Sequence, residues 1–232
     1  MTSTGFHDHK YMIAFIRVSC LSSVLIVGAM TRAQAQSPDL NTLIDGLQRK
    51  YSRMQGLEAD FVQVYHGADG RVIRESGHLL LKRPGKARWE YSSPEHKIFV
   101  SDGKNVFFYV SGEKSATRSS IRESADPQIP FLFLLGRGNL RRDFSRIEIT
   151  AEPAAGAGNL VLRLVPKRAP EQFKQLLVEV SAASFEVRRM VIFERSGARM
   201  DFLLANVREN AIAADSQFQF VPPQGVTVKR TE

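Results

Sequence analysis

The sequence predicts a mainly β protein, a large antiparallel sheet curved into a half-barrel and closed on one side by helices. Three observations predict it. From Leu57 to Val110 apolar and polar residues alternate with a period of two, punctuated by Asp69-Gly70, Pro84-Gly85 and Asp102-Gly103, which is the pattern of strands joined by tight turns. Ahead of that run, Leu40, Leu43, Ile44, Leu47 and Tyr51 fall on one helical stripe and need an apolar surface to lie on. Within "IPFLFLLG" (129–136) five large apolar residues follow one another. They cannot all face a core that neighbouring strands already fill.

In chain order, Ser37 is the expected N-cap of the first helix and Pro38 its first residue, a pairing that pre-sets the helical turn. "EADFVQVYHGADGRVIRESG" (58–77) reads as a hairpin. Strands are then expected over Gly77–Arg83, Ala87–Tyr91, Lys97–Ser101 and Asn105–Val110. "SGEKSATRSSIRES" (111–124) is polar and reads as a possible helix, and Asp126-Pro127 repeats the cap-plus-proline signal before a helix stopped by Gly136. Strands resume at Arg146–Thr150, Leu160–Val165, Gln175–Val180, Val187–Glu194, Arg199–Val207 and Gln217–Phe220, with the loop-like "AEPAAGAGN" (151–159) as a hairpin connection. No internal repeat or linker divides the chain.

Residues 1–35 read as a secretory signal peptide: Lys10 and Arg17, then the 13-residue apolar run "VSCLSSVLIVGAM", then Ala33-Gln34-Ala35. The run is too short to span a bilayer comfortably. Cleavage after Ala35 leaves a single domain, residues 36–232. The only cysteine, Cys20, lies inside the leader, so the exported part has no disulfide or thiol chemistry. Of the formal charge of +8, Lys10, Arg17 and Arg32 against Asp8 account for +2, leaving +6. On an exported chain that surplus suits anionic membrane surfaces or acidic proteins, and not nucleic acid.

The pair Lys82-Arg83 raises a question of its own. Residues two apart in a strand share a face, so Leu79, Leu81 and Arg83 point one way, and Ala87, Trp89 and Tyr91 point together from the next strand. If those aromatics line an interior, Arg83 lines it too. Two readings of Arg83 stay open on this pattern, a cavity residue or a strand end reaching for water. "IPFLFLLG" is likewise either a lid or a buried core helix. His66, His78 and His96 lack the spacing of a compact metal motif. "GRGNLRR" (136–142) lacks the Gly-Lys-Ser/Thr ending of a phosphate loop, and no Gly-x-Ser-x-Gly elbow occurs. No catalytic residue, metal or cofactor is expected, so an enzyme is not expected. Arg137, Arg141 and Arg142 read as a solvated helix flank.

In order and spacing, "DFVQ" (60–63), "LLLKRPGKARWEY" (79–91), "VSDGKNVFFY" (100–109), "PFLFLLG" (130–136) and "FVPPQGVTV" (220–228) resemble LolA, the family of periplasmic outer-membrane lipoprotein carriers. The resemblance covers nearly all of the exported part. It implies an open barrel under a helical lid, enclosing an apolar cavity that takes lipoprotein acyl chains. On it, Leu79, Leu81, Trp89, Tyr91, Leu43, Leu47, Phe131, Phe133 and Leu134 are the expected cavity residues. Arg83 matches the family arginine that bonds lid-helix carbonyls in the closed, empty form. The implied partners are acylated lipoproteins, an inner-membrane lipoprotein-releasing ABC transporter and, where present, an outer-membrane receptor, with the carrier a monomer in the periplasm. One departure is Ala87, where close relatives carry a bulky apolar residue, so a roomier or differently shaped wall near Trp89 is expected. The alternative is a lipid-binding or sensory paralogue of the same fold that binds acylated ligands without ferrying lipoproteins. Those sensory relatives usually carry a second domain.

Overall fold

The computed structural model describes residues 38–121, 138–168, 173–211 and 213–230. The leader, its cleavage site, Ser37, Phe131, Phe133 and Leu134 lie outside the described residues.

The first helix, α1, spans Leu40–Arg53. Its cap is Asp39 and not Ser37: the carboxylate accepts from the backbone amides of Asn41 at 2.8 Å and Thr42 at 3.1 Å. A carboxylate beside those free amides also complements the positive end of the helix. Pro38 therefore precedes the helix.

Strands follow as β1 (Gly56–His66), β2 (Val72–Lys82), β3 (Lys86–Ser93), β4 (Lys97–Asp102), β5 (Asn105–Val110) and β6 (Ser115–Ser120). After a one-turn helix α2 (Leu140–Asp143) come β7 (Phe144–Ile149), β8 (Asn159–Pro166), β9 (Phe173–Ser181), β10 (Val187–Glu194), β11 (Arg199–Glu209) and β12 (Thr227–Arg230). They form one sheet in the order β12-β6-β5-β4-β3-β2-β1-β11-β10-β9-β8-β7. The two edges, β12 and β7, do not meet, so the sheet is unclosed.

Four further details differ from the sequence reading. The arm after Asp69-Gly70 and the strand ending at the Lys-Arg pair are one strand, β2. The polar stretch 111–124 is no helix where it is described: Ser115–Ser120 pairs with β5, Asn105 facing Ser120, because an open edge of β5 offers every residue a backbone partner that an isolated polar helix lacks. Residues 217–220 are no strand either; Asp215–Phe218 is a 3₁₀ turn, held by the Asp215 carboxylate between Lys82 at 2.6 Å and Lys86 at 2.9 Å. Finally, β12 lies parallel to β6, the one parallel pair among the described strands.

The sheet has an inner face, which carries α1, and an outer face. Leu43, Ile44, Leu47 and Tyr51 of α1 are buried in one cluster with Leu79, Trp89, Phe99, Val178, Met190 and Phe202. Gly46 lets the helix come close, since a Cβ there would collide with the Phe185 ring. On the outer face the C-terminal segment covers β3–β6: Phe218 is buried and Phe220 stacks on Phe107 with centroids 5.4 Å apart. A smaller outer cluster of Val161, Leu177 and Val191 lies under the 151–158 loop region, with Ala154 packed on it.

Candidate functional site

Strand register lays the inner floor in rows. Leu57, Leu81, Ala87 and Ser101 form the first, Ala59, Leu79, Trp89 and Phe99 the second, and Phe61, Gly77, Tyr91 and Lys97 the third, with Gln63 and Glu75 beyond. The first two rows are apolar apart from Ser101, whose hydroxyl donates to the Gly85 carbonyl at 2.9 Å. Gly77 is needed in the third row because a Cβ would run into the Glu90 carbonyl. Phe61 stands edge-on to Trp89 at 4.8 Å and to Tyr91 at 4.9 Å, and Trp89 edge-on to Phe202 at 5.4 Å, the geometry that ring quadrupoles favour.

Six expected cavity residues are thus together on one face: Leu79, Leu81, Trp89 and Tyr91 from the floor, Leu43 and Leu47 from α1, all at most 3% exposed. Phe131, Phe133 and Leu134 lie outside the described residues. Ala87 is fully buried in the first row.

Arg83 follows directly on β2. Its backbone amide donates to the Gln55 carbonyl at 2.9 Å, and its Nη2 donates to the Tyr51 carbonyl at 2.7 Å. Tyr51 lies in the last turn of α1, where carbonyls have no partner within the helix. A guanidinium is well matched to that acceptor, being permanently charged and close to the negative end of the helix. Its Nε is buried without a hydrogen-bond partner among the described residues. The grip is therefore partial. The bond to α1 sets Arg83 against the end of the helix, and the residue as a whole stays partly exposed.

Other contacts fix α1 that the sequence did not announce. The Tyr51 hydroxyl accepts from the Val187 amide at 2.9 Å across the inner face, and burial pushes the phenol well above its ordinary pKa despite that amide. Lys50 pairs with Glu209. Gln48 accepts from the Leu140 amide at 2.9 Å, and Arg141 reaches Asp45 at 3.0 Å and Asn41 at 3.1 Å. Arg141 is thus joined to α1, whereas Arg142 pairs with its neighbour Asp143 at 2.6 Å. Gln48 and Tyr51 carried no sequence signal beyond their places on the helix.

The outer face has a different character. A cleft of about 650 Å³ is lined by Glu58, His78, Arg88 and Glu90 together with Ala211 and Gln217. His78 lies 3.1 Å from Glu58 and 3.0 Å from Asp60. Hydrogen bonding to Arg208 lowers the Glu58 pKa, and hydrogen bonds from Asn206 and His78 lower that of Asp60.

The sequence model of the outer membrane lipoprotein carrier protein LolA matches residues 52–221. The chain belongs to the LolA family. It is 28% identical over 183 residues to the outer-membrane lipoprotein carrier protein of Pectobacterium carotovorum subsp. carotovorum (strain PC1), covering 78% of this chain and 85% of that protein. The corresponding protein of Serratia proteamaculans (strain 568) is 26% identical over 209 residues, 90% of this chain and 98% of its own length. An uncharacterized conserved protein from Thermus thermophilus shares the fold, with a TM-score of 0.51 at 14% identity over 82% of this chain and 98% of that one. The match includes Arg83 and the whole inner floor from Leu57 to Lys97.

Proposed function

We propose that the inner face beneath α1 receives the acyl chains of lipoproteins, and that the protein is a periplasmic, non-enzymatic chaperone. It takes lipoproteins released from the inner membrane by an ABC transporter and carries them to an outer-membrane acceptor. The observation that supports this reading is the pairing of a largely apolar floor with a helix that covers it and whose last turn takes a hydrogen bond from the Arg83 guanidinium beside that from the Val187 amide.

The energetics require such a device. Three acyl chains hold roughly 45 methylenes, and at about 0.8 kcal/mol per buried methylene the gross gain far exceeds any affinity from which cargo could leave. Closure of α1 onto Leu79, Leu81 and Trp89 in the empty protein supplies an opposing term, because the energy gained on shutting is subtracted from the net affinity for cargo. Arg83 adds to the closed state only modestly, since desolvating the charge offsets much of its hydrogen bond.

The test is mass spectrometry of the protein purified from its own periplasm. Co-purified triacylated lipoproteins are the expected result. Phospholipid alone would contradict the carrier reading and favour a lipid-binding paralogue.

A further inference from the structure

The far end of the inner floor is polar where an apolar trough has no structural need of it. Glu75 of β2 and Lys97 of β4 form an ion pair, Gln63 of β1 donates to Glu75 at 3.4 Å, and the Tyr91 hydroxyl donates to Gln63 Oε1 at 2.7 Å. Gln63 is 6% and Glu75 9% exposed. The Lys97 side chain retains 17% of its exposure. Arg83, the residue after β2, lies eight residues from Glu75, about 26 Å along the strand direction at roughly 3.3 Å per residue. The apolar rows therefore run between two charged ends over a span comparable to a long extended acyl chain.

Buried ion pairs seldom stabilise a fold more than apolar side chains of the same size would. Four polar side chains converging from four strands at one end of the floor call for another account. Among the described residues, the Lys97 ammonium makes one hydrogen bond, to Glu75, and lies over the Tyr91 ring at 4.7 Å from its centroid. An ammonium has three donors. Glu75 and the ring hold it in place, and among the described residues a donor direction remains for an incoming acceptor.

We infer that Lys97, oriented by Glu75 and Tyr91, is a subsite for the ester carbonyls at the polar root of an acylated cargo. The inference rests on the acyl-binding reading of the inner face. Acyl chains cannot enter an apolar trough without drawing their ester carbonyls out of water, and a carbonyl buried without a donor is costly. A charged donor at the end of the trough meets that need and sets which end of the lipid lies there. Such bonds are roughly twice as strong as neutral ones.

The experiment compares a synthetic triacylated cysteinyl lipopeptide carrying two ester-linked chains with its ether-linked analogue, which keeps the chains and lacks those two carbonyls. Binding to the exported protein is measured by fluorescence displacement or calorimetry. The wild type should prefer the ester form by about tenfold, the size expected for one hydrogen bond to a charged group. Lys97→Met, which keeps an unbranched apolar stem without the ammonium, should lose that preference while still binding the ether form, with thermal unfolding reporting its fold. The wild-type comparison needs no variant, so failure of Lys97→Met to fold leaves the inference testable. A diester phospholipid and its diether counterpart form a second pair. The same preference there supports a subsite indifferent to the rest of the lipid, and a preference confined to the lipopeptide supports one that also reads the cysteine-linked group. Equal affinity of the wild type for the ester and ether lipopeptides overturns the subsite and leaves acyl binding intact. Binding of neither overturns acyl binding, and the subsite with it.

Discussion

Glu179 on the outer face and Arg83 on the inner one both bring charge to buried surroundings, yet the protein treats them in opposite ways. Glu179, 1% exposed, accepts from the amides of Ala155 and Gly156 at 3.0 Å each and from Asn159 at 2.8 Å, and it lies 3.3 Å from Arg189. Arg83 bonds one helix carbonyl with Nη2 and leaves a buried Nε without a partner among the described residues. On the proposed function, the difference separates a fixture from a latch. A buried charge whose hydrogen bonds are complete is expensive to disturb, whereas one held by a single bond can be exchanged for another state at small cost.

The largest effect on stability should come from the fixture. Glu179→Gln turns an amide donor toward backbone donors and leaves Arg189 without its counter-charge, and should cost about 2–4 kcal/mol. Urea denaturation at neutral pH measures it, and cargo release should be unchanged. A variant as stable as the wild type would erase the contrast.

Tyr51→Phe is next. It leaves the buried Val187 amide without its acceptor, for a loss of about 1–3 kcal/mol, and it frees the end of α1 that Arg83 also holds. Its signature is a faster opening of α1, read by hydrogen exchange of the helix amides. Protection equal to that of the wild type would show that the remaining contacts of α1, Arg83 among them, hold it without the Tyr51 hydroxyl.

For Arg83→Leu itself the lost hydrogen bond and the relief of a desolvated charge nearly cancel, so the change in stability should stay within about 1 kcal/mol. A loss as large as that of Glu179→Gln would make Arg83 a fixture too.

The smallest effect lies in the acid limb. Burial opposes ionisation of Glu179, but the bonds from Asn159, Ala155 and Gly156 outweigh it and hold its pKa below the ordinary value. With the folded pKa lowered, the contribution is complete above about pH 4.3, the ordinary glutamic value, and is lost as pH falls through the lower folded value. Glu179→Gln should therefore flatten the fall of stability below that pH. An unchanged slope would place the acid sensitivity elsewhere.

Much of this was legible in the sequence because period-two alternation writes the sheet and its faces directly. Leu79, Leu81, Trp89 and Tyr91 are placed together by counting alone, and the Leu43–Leu47 stripe requires a floor. What stayed hidden depends on distance along the chain. Ser115–Ser120 is polar enough to read as helix and becomes a strand only because β5 offers an edge. The parallel pairing of β12 with β6 joins residues more than a hundred positions apart, as Thr227 and Ser115 do. Glu179 and the Lys97–Glu75 pair look like ordinary surface charges in sequence, since their burial is decided by loops and strands elsewhere. Arg83 was visible as an anomaly in the alternation, but its acceptor, the Tyr51 carbonyl, is a backbone group that no sequence displays.

The central claim is that closure of α1, latched by Arg83, opposes cargo binding and helps to expel it. The direct measurement is two-step transfer of radiolabelled lipoprotein, first from inner-membrane vesicles to the protein, then from the protein to an acceptor, with each step timed separately. Arg83→Leu should accept lipoprotein at least as well as the wild type and release it more slowly by up to about fivefold, the factor that corresponds to a net loss of about 1 kcal/mol from the closed state. Arg83→Lys should fall between, because an ammonium lacks the planar fork of the guanidinium. Release by a folded Arg83→Leu at the wild-type rate would contradict the latch.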